Sequence, residues 1–144
     1  MQIKIKYFSE DSPRLTYIGT EEKSNWIDLY TDVDVTMMKG SYAEIPLGVA
    51  MELPAGYEAI VAPRSSIFQR FGVRQANSIG IIDTVFHGPN DQWKLPCVAD
   101  RDTVIPKHSR LCQFRIQKRQ PHIEFVEDSL ENNEDRGGIG STGV

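Results

Sequence analysis

The chain has 144 residues, 40% of them hydrophobic, and its formal net charge at pH 7 is -4. This length and apolar content allow one buried core, and the charge argues against a nucleic-acid surface, which needs clustered lysine and arginine. No apolar run approaches the roughly 20 residues of a membrane-spanning helix, and the first six residues lack the apolar segment of a secretory signal. We therefore expect a single-domain cytoplasmic protein that binds neither nucleic acid nor membrane, and any anionic ligand that it binds should be small.

Alternation of apolar and polar residues predicts short β-strands along most of the chain. It occurs at residues 3–7 and 33–37, and apolar runs add strand candidates at 57–62 and 79–82. Turn-forming residues separate the strands at 54–56, 87–91, 100–102 and 106–109. Many short strands with regular turns predict an all-β sandwich or barrel.

Asp28 is a single acid in the otherwise apolar stretch from Trp26 to Tyr30. A buried carboxylate needs a partner, which Arg64 or Arg110 can supply. Alternatively, Asp28 holds water molecules around a divalent cation that neutralises phosphate charge. The sequence alone leaves both interpretations open.

Pro63-Arg64-Ser65-Ser66 precedes the one predicted helix, which covers about residues 66–71. Ser66 is expected to cap its start and Gly72 to end it. In that position, Arg64, Ser65 and Ser66 lie where backbone N–H groups converge. The segment is therefore a candidate phosphate site.

The stretch from Asn77 to Gly88 is predicted to form a β-hairpin that ends in an acid beside an aromatic ring. Asp83 either caps a turn, the commoner fate of such a residue, or acts as a general base toward a water that attacks phosphorus. Gly80 lets a flat ligand approach the backbone, whose N–H and C=O groups can read the edge of a base. Asn77 can add an amide to that recognition, and Phe86 offers a ring to a sugar, unless it is simply a core residue.

Gln113 lies among apolar neighbours in Arg110-Leu111-Cys112-Gln113-Phe114, where it can orient a water or serve as an ordinary satisfied polar residue. Cys97 and Cys112 have no CxxC spacing, so buried reduced thiols are expected. The three histidines show no metal-ligand spacing and receive no catalytic role.

The composition changes after Val126, which divides the chain into a β domain at residues 1–126 and a C-terminal arm at 127–144. The arm is acidic as far as Asp135 and then rich in glycine. Its Arg136 carries donors suited to phosphate, and its glycines let the backbone approach a ligand. An arm of this kind is either a disordered terminus or a contribution to the site of a neighbouring subunit.

Five of these segments, taken together and in this order, resemble the five motifs of the homotrimeric dUTPase family. The matching segments are Asp28-Leu29-Tyr30, Pro63-Arg64-Ser65-Ser66, Gly80-Ile81-Ile82-Asp83, Arg110-Leu111-Cys112-Gln113, and Arg136 to Gly143. Each segment is weak evidence alone. All five segments in this order and with this spacing over residues 28 to 143 would rarely arise by chance.

The resemblance implies an all-β, distorted jelly roll of the β-clip type, assembled as a homotrimer whose C-terminal arms close over neighbouring sites. It also implies that water activated by Asp83 attacks the α-phosphorus of dUTP and releases dUMP and pyrophosphate. Such a reaction removes dUTP and supplies dUMP for dTMP synthesis. Mg²⁺ is bound mainly by the triphosphate, with Asp28 contacting it through water.

The resemblance assigns roles to further residues. Asn77, Gly80 and Ile82 belong to the uracil site, and Phe86 stacks on deoxyribose and excludes a 2′-hydroxyl. Gln113 holds water at the reaction centre. The phosphates and the closing arm involve the following residues: Arg64, Ser65, Ser66, Arg136, Gly138, Ile139, Ser141 and Thr142.

The sequence departs from the family pattern in three places. The third motif has Phe86 where a tyrosine is usual and lacks a second acid, and the second motif has Ser66 where glycine is common. The fifth motif is short, and Ile139 stands where a phenylalanine usually covers the uracil. We expect Trp93 to supply the missing aromatic face, unless it is a half-buried strand residue.

Two other functions compete with this interpretation. A dCTP deaminase shares the fold and an Arg-Ser-Ser sequence, but that family places a glutamate where this chain has Gln92-Trp93-Lys94-Leu95. The other alternative is a catalytically silent trimer that serves as a binding or regulatory module, with or without a protein partner. Four polar residues argue against a trimer without activity, because packing alone does not explain their chemistry: Asp83, Arg64, Gln113 and Arg136.

Overall fold

The computed structural model describes residues 1–16, 24–140 and 143 of the chain. Within these ranges the chain forms β-strands and one short helix. The elements in chain order are β1 (Lys4–Tyr7), β2 (Ile27–Tyr30), β3 (Val35–Met37), β4 (Tyr42–Pro46), β5 (Val49–Glu52), β6 (Tyr57–Pro63), α1 (Ile67–Phe71), β7 (Val73–Gln75), β8 (Gly80–Ile82), β9 (Lys94–Ala99), β10 (Thr103–Ile105) and β11 (Arg110–Lys118).

The strands form four small antiparallel sheets. The largest has the order β2-β11-β6-β8, and a three-stranded sheet has the order β4-β9-β7. Strand β1 pairs with β5, and β10 pairs with β3. The β2-β11-β6-β8 sheet positions most of the residues that the sequence singles out.

The core lies between these sheets and is mainly apolar, with Thr31 as a fully buried polar residue. On β11 the side chains of Cys112 and Phe114 are buried, whereas Gln113 between them is only partly buried. This alternation assigns one face of the sheet to the core and leaves the other for a ligand. Cys97 and Cys112 are free and buried, which confirms the prediction of reduced thiols.

The predicted helix is confirmed, with its start one residue later than expected. Gly72 ends α1 in the left-handed conformation at φ 64°, and its N–H donates to the carbonyl of Phe68. Arg101 donates to two carbonyls of the last turn, on Gln69 and Arg70. Ser66 occupies the N-cap position, but its side chain makes no capping hydrogen bond.

The expected hairpin at residues 77–88 is wrong. Strand β8 pairs with β6, and β7 pairs with β9 in a different sheet. The turn between β7 and β8 therefore carries the chain from one sheet to another. Strand β8 becomes an edge of the larger sheet, so backbone groups on its far side are available to a ligand.

The chain leaves the sheets after β11. Residues 119–140 contain neither helix nor strand, and their side chains are exposed. Within the described ranges, no helix has both the length and the apolar character needed to cross a membrane.

Candidate active site

Asp28, Gln113 and Ala62 form a row across three strands of the larger sheet. Asp28 is opposite Gln113 in the β2–β11 ladder, and Gln113 is opposite Ala62 in the β11–β6 ladder. Residues that face each other across such ladders project from the same side of the sheet. The row therefore lies on the side opposite Cys112 and Phe114, with the small Ala62 at its end.

Two arginines converge on the Asp28 carboxylate. Arg64 Nε lies 3.0 Å from Oδ1, and Arg110 Nη1 lies 3.4 Å from Oδ2. The prediction that Asp28 pairs with an arginine is confirmed, and both candidates contact it. Because Arg64 uses Nε for this contact, the outer edge of its guanidinium keeps N–H donors for another anion.

A β-bulge in β11 places Arg110 on this side of the sheet. Arg110 is opposite Tyr30 and Cys112 is opposite Leu29, so Leu111 is an extra residue in the ladder. In a regular strand Arg110 would share the core side with Cys112. The bulge reverses that alternation and brings the guanidinium to Asp28.

A tight turn follows Arg64 and presents the two serines. The N–H of Ile67 donates to the Arg64 carbonyl, and the Arg64 N–H donates to the Leu111 carbonyl of β11. Ser65 is exposed, and Ser66 is partly buried. The turn therefore places both serines directly after Arg64, at the end of β6.

Asn77, Gly80 and Ile82 lie along the entry to β8 and the strand itself. Gly80 is opposite Val61 of β6, and a Cβ on Gly80 would lie 3.2 Å from the Val61 side chain. Ile82 packs against the core, whereas Asn77 is exposed. The Asn77 amide oxygen accepts a hydrogen bond of 2.9 Å from Gln75 Nε2.

Asp83 and Phe86 are the first and last residues of a turn that follows β8. The Phe86 N–H donates to the Asp83 carbonyl at 3.0 Å, and the Thr84 hydroxyl anchors the turn to the Tyr57 carbonyl. In the part of the chain that the structure describes, no hydrogen bond or ion pair engages the Asp83 carboxylate. Its backbone closes the turn while its side chain stays exposed, and the Phe86 ring is 38% exposed beside it.

The turn that carries Asp83 and the cluster of Asp28, Arg64 and Arg110 lie at opposite ends of β6. Thr84 contacts Tyr57 at the start of this strand, whereas Arg64 follows Pro63 at its end. A strand rises about 3.3 Å per residue, so the two ends are about 20 Å apart. A triphosphate chain is much shorter than this, and one subunit therefore does not bring Asp83 and Arg64 to the same phosphates.

The described residues of the arm make no hydrogen bond or ion pair with the β domain of their own chain. Arg136 and Gly138 are exposed, and so is Ile139. Among the described residues, the hydrogen bonds of 120–140 stay inside that segment, as in Asn133 N–H to the Leu130 carbonyl. Ser141 and Thr142 lie outside the described residues.

The role expected of Trp93 is wrong. Its side chain is 0% exposed and packs edge-on against Phe114, with ring centroids 5.2 Å apart. A ring enclosed by the core has no face for a base, so Trp93 is a structural residue. The available aromatic ring near Asp83 is Phe86.

The residues present fit a metal ion that arrives with the substrate. The described parts of the chain contain no group of three or more His, Cys, Asp or Glu side chains that could hold an ion. Asp28 already receives two arginines, which leaves lone pairs for water rather than a ligand cage. Mg²⁺ typically keeps several waters and binds through substrate phosphates, which matches this arrangement.

The two thiols are chemically inert. Burial raises the pKa of Cys97 to about 12, and burial also raises the pKa of Cys112. A neutral thiol is a poor nucleophile at pH 7. Neither cysteine therefore belongs to a catalytic centre.

The Asp28–Arg64–Arg110 cluster and the exposed Asp83 carboxylate give this all-β chain groups suited to phosphate binding and general-base catalysis, the chemistry of an enzyme that acts on a phosphorylated substrate. The family model described as dUTPase matches residues 19–143, and the chain belongs to this family. A curated relative in Bacillus subtilis (strain 168), the SPbeta prophage-derived deoxyuridine 5'-triphosphate nucleotidohydrolase YosS, is 51% identical over 144 residues. That alignment covers 100% of this chain and 99% of the relative. The deoxyuridine 5'-triphosphate nucleotidohydrolase of Finegoldia magna is 33% identical, and 99% of each chain is covered.

Solved structures show the same fold. The dUTPase of Staphylococcus bacteriophage 80alpha with dUPNHPP aligns with a TM-score of 0.79 at 20% identity, covering 99% of each chain. A point mutant of the dUTPase from phage phi11 of S. aureus, a structure that concerns the coordination of a structural Mg(II) ion, aligns with a TM-score of 0.76 at 16% identity. It covers 90% of this chain and 99% of the other. The expected all-β, jelly-roll type of fold is confirmed.

Proposed function

We propose that the protein hydrolyses dUTP to dUMP and pyrophosphate in the cytoplasm, as a homotrimer. The observation that carries this proposal is the unengaged Asp83 carboxylate, held in a turn beside the Phe86 ring. A base must be able to reach water and must not be consumed by a structural bond. Asp83 meets both conditions.

Asp83 acts as the general base in this scheme. Its carboxylate takes a proton from a water that attacks the α-phosphorus, and the P–O bond to pyrophosphate breaks. Phe86, three residues along the same turn, packs on deoxyribose where a 2′-hydroxyl would collide. The free edge of β8, with Gly80 and Ile82, and the amide of Asn77 bind the uracil.

The Asp28–Arg64 cluster binds phosphate. Asp28 pairs with Arg64 through Nε, which leaves N–H groups on the outer edge of the guanidinium for an anion. Ser65 and Ser66 add donors in the adjoining turn. Gln113, which donates to the Pro63 carbonyl at 3.4 Å, keeps its amide oxygen for a water near the reaction centre.

A Mg²⁺ ion would be held mainly by the triphosphate of the substrate, and Asp28 would contact it through water. When bound, the ion neutralises charge that develops on the phosphates. Asp28 has lone pairs left after its two arginine contacts, and these can accept hydrogen bonds from metal-bound water.

The distance along β6 supports an assembly of more than one subunit. Since about 20 Å separates Asp83 from Arg64 within one chain, a complete site would take them from different subunits. The exposed arm then supplies Arg136 to a neighbour's site, with the following residues nearby: Gly138, Ile139, Ser141 and Thr142. We place the boundary between β domain and arm at residue 126, which leaves the whole arm free to cross.

The test is pyrophosphate release from dUTP, dCTP, dTTP and UTP, with and without Mg²⁺. We expect selective turnover of dUTP and a loss of at least about 100-fold in Asp83→Asn, the usual scale for removing a general base. Asp100→Asn is the matched control, because Asp100 is a partly buried acid that pairs with Arg74 of another sheet. Full activity of Asp83→Asn contradicts the proposed base, and comparable hydrolysis of UTP contradicts the role of Phe86.

A further inference from the structure

A buried glutamine lies directly behind the proposed base-binding residue. Gln75, the last residue of β7, is 7% exposed. Its Nε2 donates to the carbonyl of Val61 at 3.2 Å and to Oδ1 of Asn77 at 2.9 Å. Gln75 therefore links β6 of one sheet to the turn that carries Asn77.

The chemistry of these two hydrogen bonds fixes the orientation of both amides. A main-chain carbonyl accepts only, so the group of Gln75 that faces Val61 is the NH₂ group. That same NH₂ group faces Asn77, so the near atom of Asn77 is its oxygen. Consequently the Asn77 NH₂ group points away from Gln75.

An asparagine amide alone does not discriminate between uracil and cytosine. It can donate to O4 and accept from N3–H of uracil, or, after a rotation of 180°, accept from the 4-amino group and donate to N3 of cytosine. In the second orientation the Asn77 NH₂ would face the NH₂ of Gln75, and the hydrogen bond between them would be lost.

We infer that Gln75 is a positioning residue that holds Asn77 in its uracil-reading orientation and so sets the preference for uracil over cytosine. This inference rests on the proposed function. Gln75 does not touch the substrate; it acts through Asn77.

A glutamine at position 75 destabilises the fold in a way that packing alone does not require. The Oε1 atom of Gln75 is buried and has no hydrogen-bond partner within the described residues. An apolar side chain of the same length would fill the space without an unmet acceptor. The amide is useful here for the direction of its NH₂ group.

The first experiment compares Gln75→Met with the native enzyme. The readouts are inhibition constants of the α,β-imido analogues of dUTP and dCTP against dUTP hydrolysis. In the native enzyme, the cytosine-reading orientation of Asn77 loses its hydrogen bond with Gln75 and places two NH₂ groups against each other. This penalty lowers affinity for the cytosine analogue by about a factor of ten. Removing Gln75 should therefore reduce the preference for the uracil analogue about tenfold, while kcat for dUTP changes little.

Gln117→Met is the matched control. Gln117 lies on β11 and donates to Glu58 at 2.7 Å, away from Asn77. It should leave the uracil preference unchanged. If Gln75→Met also leaves the preference unchanged while dUTP is still hydrolysed, the inference is wrong and the proposed function stands. If the native enzyme does not hydrolyse dUTP, the proposed function itself fails.

A second measurement needs no substitution at Gln75 and so does not depend on folding of the variant. In ¹⁵N-labelled native protein, the side-chain NH₂ protons of Gln75 should exchange with solvent more slowly than those of Gln117. The NH₂ resonances of Asn77 should shift on binding the dUTP analogue, because that group donates to O4. Fast exchange at Gln75, or an Asn77 NH₂ that does not respond, would overturn the inference.

Discussion

Subunit mixing can show whether Asp83 and Arg136 act on the same substrate from different chains. Two inactive variants are prepared, Asp83→Asn and Arg136→Ala, and each is tested alone. The first lacks the base, and the second lacks a charge-assisted phosphate contact, which is worth about 1.5–3 kcal/mol or roughly 10- to 150-fold in affinity. Co-expression at equal levels, with one tag on each variant, then gives mixed trimers.

The expected recovery follows from the geometry. If the arm crosses to a neighbour, a working site needs Asp83 from an Arg136→Ala chain and Arg136 from an Asp83→Asn chain. Random assortment places each of these with a probability of one half, so about a quarter of the sites are restored. If each arm served its own chain, no site would be restored.

A second mixture makes the test quantitative. Native chains are co-expressed with a double variant that carries both substitutions. Arms that cross again give about a quarter of native activity, whereas arms that stay with their own chain give about half. Pyrophosphate release at dUTP concentrations well below KM measures both mixtures. No recovery in the first mixture together with half activity in the second would refute exchange of the arm.

Four further predictions concern the β domain. Trp93→Ala should lower the free energy of unfolding by about 3–5 kcal/mol, because its ring is fully buried, and should reduce the melting temperature rather than raise KM selectively. Gly72→Ala should lower the melting temperature more than Gly56→Ala at the same protein concentration. Both glycines have positive φ, but only at position 72 would a Cβ lie 2.5 Å from the arginine side chain that caps α1. The thiols of Cys97 and Cys112 should resist a thiol reagent at pH 8 in native protein and both react in denaturant, so labelling of the folded protein would contradict their burial. Since the folded-state pKa of Cys97, about 12, lies above the unfolded value, this thiol's contribution to stability is intact below about pH 8.5 and declines as the pH rises toward 12.

Local pattern predicts much of this fold, because burial on one side imposes alternation on each strand. The alternation around Ile5 and Val35 and the apolar run before Pro63 all correspond to strands. Gly72 ends the helix as its type suggests, since the position requires a left-handed backbone. Alternation and helix-ending glycines depend on residues that are close in the chain. They can therefore be recognised without knowing which strands pair.

Pairing between strands is harder to predict, because periodicity does not say which strand lies beside which. The stretch from Asn77 to Gly88 has the composition of a hairpin, yet β8 pairs with β6 across an intervening helix. The predicted role of Trp93 is wrong for a related reason. A tryptophan between two polar residues gives no local indication of how far its side chain is buried. The sequence does not predict a role for Gln75, because a polar residue in a short strand usually lies at the surface. Only the hydrogen bond to Asn77 reveals that role.

The extra residue at Leu111 makes β11 sensitive to length as well as to composition. Deleting Leu111 would give a regular ladder in which Arg110 still faces Asp28, because Arg110 would then alternate with Cys112. The core would nevertheless lose a side chain that is 0% exposed. Straightening the strand with Leu111 kept in register would instead turn Arg110 toward the core side, and Asp28 would lose one of its two cations. Engineering of this sheet should therefore keep both Leu111 and the bulge.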